Sequence, residues 1–280
     1  MTLPALVRPG RRVAVIGDVA GHLDELVGEL ARLGADPVTG RLPAGLVVIQ
    51  VGDLVHRGPD SPGVVALVDR YLTEQPEQWL QLVGNHEAQY LREPAFDWPE
   101  QLPEQVAATL NRWWDAGQLR VAAALVTRSE SFLITHAGLT AGFWRAVLDA
   151  PPDARQAALA LNALPRGRRD VVFRAGQLLG RRRDQGAGPL WAVASTELVP
   201  SWRDSLLPFS QVHGHTSVYD WARGSFAPGP AFVPGLAKLD EEAKHAVVPL
   251  RGGRIIGVDP GHGEDPRRPW RSWELTLPSP

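Results

Sequence analysis

Residues 47–58 read Val-Val-Ile-Gln-Val-Gly-Asp-Leu-Val-His-Arg-Gly, and residues 80–87 read Leu-Gln-Leu-Val-Gly-Asn-His-Glu. Each apolar run ends in a glycine that is followed by residues able to bind metals or move protons. A continuous β-branched run is typical of a buried parallel strand, and ligands of open α/β sheets bind beyond the carboxyl ends of such strands. The sequence therefore predicts that Asp53, Asn85 and His86 lie in one crevice.

The segments around these two stretches predict a β-α-β-α-β unit. Strands are expected over residues 12–17, 46–51 and 79–83, with helices over 21–33 and 62–72. The first helix has leucines and a valine on one face and ends at a Gly-Ala-Asp-Pro turn, while the second begins near a proline. Alternating strands and helices of this kind predict a parallel sheet.

The rest of the chain is predicted to alternate between helical regions and strands. Residues 88–118 are expected to be helical with proline breaks, and residues 119–126 and 131–135 to be strands. Residues 140–208 carry short helical patterns separated by Pro and Gly, which we interpret as a helical insertion beside the site within a single domain of residues 1–280. Residues 210–213 are expected to be a strand, and a second, antiparallel sheet is expected from strands at 231–233, 246–250, 254–258 and 273–277.

Composition excludes several classes of protein. The 280 residues are 44% hydrophobic and 21% charged with a net charge of −2, so no electrostatic argument favours a nucleic-acid partner. No apolar run approaches a membrane span and no signal-peptide pattern is seen, so we expect a cytoplasmic protein without a membrane partner. Without cysteine, any metal site must use His, Asp, Asn or Glu.

Further motifs follow the same pattern along the chain. They are Ile-Gly-Asp at 16–18, Ile-Thr-His-Ala-Gly-Leu at 134–139, Val-His-Gly-His-Thr at 212–216 and Ile-Gly-Val-Asp-Pro-Gly at 256–261. With the two central stretches, this order resembles the calcineurin-like metallophosphoesterases over residues 12–262. It is most similar to the phosphoprotein phosphatase branch, which includes bacterial symmetrical dinucleoside tetraphosphatases. The resemblance implies a four-layer α/β/β/α sandwich.

The resemblance also implies a metal-dependent phosphoesterase with two divalent ions, about 3.5–4 Å apart, and a metal-bound hydroxide as nucleophile. By resemblance, Asp53 bridges the ions, and Asn85, His136 and His215 complete the second site. Mn²⁺ is expected, with Fe, Zn or Co as alternatives that ligand type does not separate. Taken singly, each of these residues is more often a turn former or a core residue.

The first metal site departs from the family pattern. Asp18 matches the family's first ligand, but the histidine expected two residues later is replaced by Ala20. Three alternatives remain: His22 reaches back from the first helical turn, His213 helps from the face it shares with His215 on a strand, or the site is weak or empty.

Proton transfer and phosphate binding are also assigned by resemblance. His86 matches the general acid, yet the aspartate that usually orients it is replaced by His56, which leaves His56 or Glu87 as candidate orienters. Arg57 matches the phosphate-binding arginine, acting with Asn85; the alternative is a surface arginine paired with Asp60. A second family arginine after Leu190-Trp191 is missing, and Arg174 or residues 181–183 are possible substitutes.

The substrate stays open at this point. A Ser/Thr phosphoprotein, a small phosphomonoester and a dinucleoside polyphosphate are all compatible with the resemblance. Tryptophans at 98, 113, 114, 144, 191 and 202 either stack on a nucleobase or belong to the core. Because three family positions near the chemistry are altered, a non-catalytic protein that binds a phosphorylated ligand is the alternative function.

Overall fold

The computed structural model describes residues 12–167, 169–180, 182–262 and 269–277. The predicted β-α-β-α-β unit is present as β1 (Arg12–Ile16), α1 (Leu23–Arg32), β2 (Leu46–Gln50), α2 (Ser61–Glu74) and β3 (Trp79–Leu82). β1 pairs with β2 and β2 with β3, both in parallel. Every residue of β2 is buried, as the continuous apolar run predicts.

Local chemistry sets the ends of the two helices in this unit. The Asp60 side chain accepts the Gly63 N–H at 2.8 Å, which caps α2 at the start, and Pro62 occupies its first turn. α1 stops before Gly34, whose φ of +99° a residue with a side chain rarely adopts. Both helices then cover one face of the sheet.

The segment after β3 divides at prolines, as expected. It forms α3 (Asn85–Leu91) and α4 (Glu104–Asp115), separated by an irregular stretch that contains Pro94, Pro99 and Pro103. The single strand predicted at 119–126 is wrong, because the chain leaves the first sheet at Val121. β4 (Leu119–Arg120) pairs with β3, whereas β5 (Ala122–Val126) pairs antiparallel with β6 (Ser131–Thr135) in a second sheet.

The region at 140–208 has the short helices expected of it. They are α5 (Ala141–Ala146), α6 (Ala154–Gly167), α7 (Arg169–Val172), α8 (Gln177–Gly180), a π-helix (Ala194–Leu198) and α9 (Val199–Ser201). α6 packs on β5 and β6, so part of this region covers the outer face of the second sheet.

The second sheet is mixed, not antiparallel as predicted. Its order is β10 (Lys238–Asp240), β11 (His245–Leu250), β12 (Gly253–Gly257), β7 (Ser210–His213), β6 and β5, in which β12–β7 and β7–β6 are parallel pairs. A small hairpin of β8 (Tyr219–Asp220) and β9 (Ser225–Phe226) lies outside it.

Two further strand predictions are corrected. Residues 231–233 do not form a strand, because α10 (Phe232–Leu236) begins there. β13 (Trp273–Thr276) is a strand, but it pairs antiparallel with β1 and so belongs to the first sheet, whose order is β13-β1-β2-β3-β4. Its alternating pattern indicated a strand, while the choice of partner depends on a contact far away in sequence.

The two sheets pack face to face through one apolar layer. Its members come from alternate positions of the strands: Val13, Val15, Ile49, Val51 and Leu82 from the first sheet, and Phe132, Ile134, Val212 and Ile256 from the second. Helices cover the outer faces, which gives the expected α/β/β/α sandwich. Among the described residues, none of the helices has both the length and the apolar character that crossing a membrane requires.

Candidate metal centre and active site

The carboxyl ends of β1, β2 and β3 deliver polar side chains to one cavity. Asp18 follows β1, Asp53 follows β2, and Asn85 and His86 start α3 immediately after β3. All four line a cavity of about 560 Å³. The Asp53 Oδ1 atom also accepts the backbone N–H of His86 at 3.0 Å, which ties the ends of β2 and β3 together.

The loops that carry these residues hold unusual backbone conformations. Ala20, Asp53, His56, Arg57 and His215 have φ values of 50°, 55°, 74°, 70° and 65°, in the left-handed region that side chains disfavour. Such conformations persist where the surrounding structure enforces them, and they cluster at functional sites.

Glu87 is the residue that fixes the Asp53 loop. Its carboxylate accepts the backbone N–H groups of Asp53, Leu54 and Gly84, each at 2.8 Å. Burial, followed by the nearby charge of Asp53, raises the pKa of Glu87 to about 7. The prediction that Glu87 orients His86 is wrong, because its carboxylate is used on these backbone donors.

Asp53, His136 and His215 form a group with metal-ligand geometry. One ligand atom from each lies within 4.8 Å of the others. The His215 Nε2 atom is buried and has no hydrogen-bond partner. An unpartnered buried nitrogen is costly in a protein interior unless a ligand satisfies it.

The tautomer of His136 supports the same site. Its Nδ1–H donates to the Val51 carbonyl at 3.1 Å, so Nε2 carries a lone pair. That lone pair faces Asn85 Oδ1 at 2.9 Å and Asp53 Oδ1 at 3.5 Å. His136 Nε2, Asn85 Oδ1 and Asp53 Oδ1 are thus three acceptors that face one another without a proton between them. This arrangement fits a bound cation, because a cation would satisfy all three.

The charge states in this group also suit metal binding. Burial lowers the pKa of His136 and of His215, which keeps both rings uncharged and able to ligate. Burial raises the pKa of Asp53, but the positive charges that His136, His86 and His215 gain when they protonate at low pH outweigh burial and lower it. Asp53 is therefore a carboxylate when these rings are neutral.

Asp18 lies beside Asp53, His136 and His215, and the position two residues after it is Ala20 instead of the family's histidine. Both of its carboxylate oxygens are 3.0 Å from the His215 backbone N–H, and Ala20 lines the cavity where the family histidine is expected. Burial, then the charges of Asp259 and Asp53, raise the pKa of Asp18 well above its ordinary value. A cation near Asp18 would offset this repulsion.

The structure places neither candidate replacement at the cavity. His22 occupies the N-cap position of α1 without a capping hydrogen bond from its side chain, and its ring lies 4.9 Å from that of His262. His213 Nδ1 donates to the Gly214 carbonyl at 2.9 Å. The argument that His213 and His215 share a strand face fails, because β7 ends at His213 and His215 has a left-handed backbone.

Sequence reasoning gave no role to Asp259. It follows β12, lines the same cavity, and accepts the Gly261 N–H at 2.7 Å. Burial raises the pKa of Asp259 to about 6. The Asp-Pro-Gly turn was visible in the sequence, but its proximity to Asp18 depends on how the two sheets pack.

His86 is part of a chain of three rings. Its Nδ1 lies 2.7 Å from Nδ1 of His56, and His56 Nε2 lies 2.6 Å from the Tyr90 hydroxyl. The other nitrogen of His86, Nε2, is 3.9 Å from Asp53 Oδ2. Burial lowers the pKa of both histidines, that of His56 to about 4. His56 is buried and thus takes the position from which it can orient His86.

Arg57 lines the cavity with its guanidinium carbon 5.3 Å from the Trp98 ring centre. Arg57 is exposed, as the alternative of a surface arginine expected, but no ion pair joins it to Asp60 within the described part of the chain. Arg174 forms an ion pair with Asp184 at 2.8 Å and does not line the cavity. Arg181 lies outside the described residues. Among the described residues, Arg57 is therefore the one Lys or Arg of the lining.

The tryptophans divide between core and cavity. Trp113 and Trp202 are fully buried in the core. Trp98, Trp191 and Trp221 line the cavity together with Phe96 and Tyr219. Position in the chain alone did not separate these two groups.

Two curated relatives match short parts of the chain. A zinc-dependent endopolyphosphatase of Saccharomyces cerevisiae is 38% identical over 72 residues, covering 26% of this chain and 19% of that protein. A serine/threonine-protein phosphatase 1 of Salmonella typhimurium is 38% identical over 78 residues, covering 28% and 30%. The chain thus spans less than a third of the length of either relative.

The fold is shared with a solved structure over most of the chain. A cold-active protein-tyrosine phosphatase of a Shewanella species has a TM-score of 0.53 at 17% identity, covering 93% of this chain and 74% of that chain. The model of the calcineurin-like phosphoesterase family matches residues 11–228, more than three quarters of the sequence. The chain therefore belongs to the calcineurin-like phosphoesterase family.

Proposed function

We propose that this protein is a metal-dependent phosphoesterase that hydrolyses phosphomonoesters. The observation that carries the proposal is the convergence of unprotonated acceptors from Asp53, Asn85, His136 and His215, beside a buried histidine and one arginine in a single cavity. Family membership supports hydrolysis of a phosphoester as the reaction class.

The residues suggest a division of roles. Asn85, His136 and His215 would hold one divalent cation, Asp18 a second, and Asp53 both. Bound cations supply an activated water and neutralise charge on the phosphoryl oxygens. Oxygen and nitrogen ligands suit Mn²⁺, our first expectation, and also Fe, Zn or Co.

The remaining groups act on the phosphoryl group and the leaving oxygen. Arg57 presents a planar fork that can hold two phosphoryl oxygens, with Asn85 beside it. His86 Nε2 faces the cavity and would donate a proton to the leaving oxygen. His56 would act through His86 as a positioning residue.

The wider context is proposed on the same basis. We propose one domain over residues 1–280 in which 140–208 form a helical insertion, and we propose that the protein is cytoplasmic. Phosphorylated small molecules or phosphoproteins are the proposed partners. The names of the two relatives, an endopolyphosphatase and a serine/threonine-protein phosphatase, do not decide between these two kinds of partner.

The test is metal content by mass spectrometry on protein purified without chelator, together with hydrolysis of p-nitrophenyl phosphate with and without Mn²⁺. We expect about two metals per chain and activity lost in Asp53→Asn. Asp69→Asn, which alters a carboxylate paired with Arg112 away from the cavity, is the matched control. One metal or none, without turnover under any metal, would instead support a non-catalytic binding protein.

A further inference from the structure

Three aromatic side chains form a continuous band across the cavity. The Trp98 ring lies edge-on to His86 at 4.7 Å, Phe96 lies 5.7 Å from both Trp98 and Trp191, and Trp191 lies 6.0 Å from His215. We name Phe96, Trp98 and Trp191 the aromatic wall. It joins the proposed proton donor to a proposed metal ligand without interruption.

The aromatic wall limits which part of the substrate can be bonded to the leaving oxygen. A leaving oxygen within reach of His86 Nε2 is also next to Trp98, since the two rings are in contact. Trp98 is held there because it stacks on His56 at 5.5 Å and 17° and carries Arg57 over its face at 5.3 Å. The group bonded to that oxygen therefore meets a fixed aromatic surface.

The charge of the lining separates the candidate substrates. Arg57 is the one Lys or Arg among the described residues of the lining. Asp18 and Asp53 are assigned to the cations, and the remaining acidic side chains of the lining are Asp220 and Asp259. A polyphosphate chain extending from the reacting phosphate would meet carboxylates and aromatic rings without further basic side chains from this lining. A single phosphoryl group on an apolar body fits this distribution better.

We infer that the preferred substrates are aryl phosphomonoesters, in which a planar aromatic ring bonded to the leaving oxygen packs against the aromatic wall. This inference rests on the proposed phosphoesterase function and names its substrate class. Ring-on-ring contacts favour an aromatic body over an alkyl body of similar size. A cavity of about 560 Å³ accommodates such a molecule.

Binding must be measured apart from chemical reactivity, because aryl phosphates are intrinsically easier to hydrolyse. We would therefore compare benzylphosphonate and propylphosphonate, which cannot be hydrolysed, as competitive inhibitors. We expect the inhibition constant of benzylphosphonate to be about tenfold lower, from the contacts of two or three rings. Diadenosine tetraphosphate should inhibit more weakly than benzylphosphonate.

Two variants assign the effect to the wall. In Trp98→Leu, the preference for benzylphosphonate should fall to about twofold or less, since leucine keeps apolar surface without a ring face. Trp114→Leu changes a half-buried tryptophan that packs on Phe173 away from the cavity, and should keep the full preference. Thermal unfolding of both variants checks that the fold is retained.

Some results would overturn the inference while the phosphoesterase function stands. Equal inhibition by the two phosphonates in an enzyme that hydrolyses p-nitrophenyl phosphate is one. Tighter inhibition by diadenosine tetraphosphate, weakened in Trp98→Leu, is another. Absence of hydrolysis of every monoester with every metal would overturn the proposed function itself.

A further experiment decides whether the aromatic ring of the substrate belongs to a protein or to a small molecule. Free O-phosphotyrosine and a tyrosine-phosphorylated peptide share the same reacting group. A value of kcat/KM for the peptide that equals or exceeds that for the free amino acid assigns the ring to a protein. A value about tenfold lower assigns it to a small molecule, because the peptide chain would then be excluded by the cavity.

Discussion

His56 and His86 face each other through their Nδ1 atoms at 2.7 Å, so one ring must donate a proton to the other. The proposed role of His86 sets the direction. A general acid must be an imidazolium, so His86 Nδ1–H donates to His56 Nδ1, and the Nε2 proton of His86 faces the cavity. His56 then carries its own proton on Nε2, which donates to the Tyr90 hydroxyl oxygen at 2.6 Å, and the Leu102 N–H also donates to that oxygen at 3.2 Å.

Replacing His56 with aspartate should shift the pH dependence of kcat upward. Burial lowers the pKa of His86 in the native protein, and a carboxylate beside Nδ1 would favour the protonated ring and raise that pKa. The alkaline limb of the profile, where the acid is lost as pH rises, should move up by about 1–3 pH units. A full pH profile measures this; His56→Asn, a neutral acceptor, should leave the limb in place. Identical profiles for the two variants would contradict the prediction.

Tyr90→Phe should reduce kcat about tenfold, a part of what an oriented general acid contributes, and leave KM nearly unchanged. Without the hydroxyl, His56 loses the acceptor of its Nε2 proton and is free to hold that proton on Nδ1, where it no longer accepts from a protonated His86. Steady-state kinetics and ¹⁵N shifts of the two rings measure the change. Tyr71→Phe, whose hydroxyl donates to the Gly40 carbonyl, is the control. A change in KM alone would argue against a positioning role.

Ala20→His should strengthen the first metal site. Ala20 lines the cavity beside Asp18, and a histidine here supplies the ligand that the family pattern contains. Ala20 already holds the left-handed backbone at φ 50°, a region that histidine tolerates better than most residues with a side chain. Metal per chain after dialysis against limiting Mn²⁺ is the measurement. Ala20→Leu adds bulk without a ligand, and equal metal retention in the two variants would refute the idea.

Glu87→Gln should lower the free energy of unfolding by about 1–3 kcal/mol, because the amide cannot satisfy all three buried backbone donors. The urea midpoint should fall with an unchanged m-value. Glu242→Gln, at an exposed ion pair with Arg271, should change stability by about 0.5 kcal/mol or less. If the two variants unfold at the same urea concentration, Glu87 does not hold the loops as described.

Short-range sequence patterns predicted the location of the site residues that directly follow strands. The apolar runs before Asp53 and Asn85 predicted that Asp53, Asn85 and His86 would share a crevice, because the ends of parallel strands meet at one sheet edge. The resemblance added His136 and His215 to that group, and in the structure their side chains lie beside Asp53.

Long-range packing accounts for what sequence did not predict. Ala231-Phe-Val is apolar and short, so its pattern does not distinguish a strand from the start of α10. The approach of Asp259 to Asp18 and of Tyr90 to His56 depends on how sheets and helices meet. The same holds for the division of the tryptophans between core and cavity.

The pairing of β13 with β1 has a consequence for biosynthesis. During translation the β1-β2-β3 unit emerges early. The outer edge of β1 nevertheless stays open until β13 is made, more than 250 residues after β1. Until then the nascent chain presents an apolar strand edge, which is prone to pair with other chains. Completion of the first sheet is therefore a late event in synthesis, and protection of this edge by chaperones would be needed most in the interval before it.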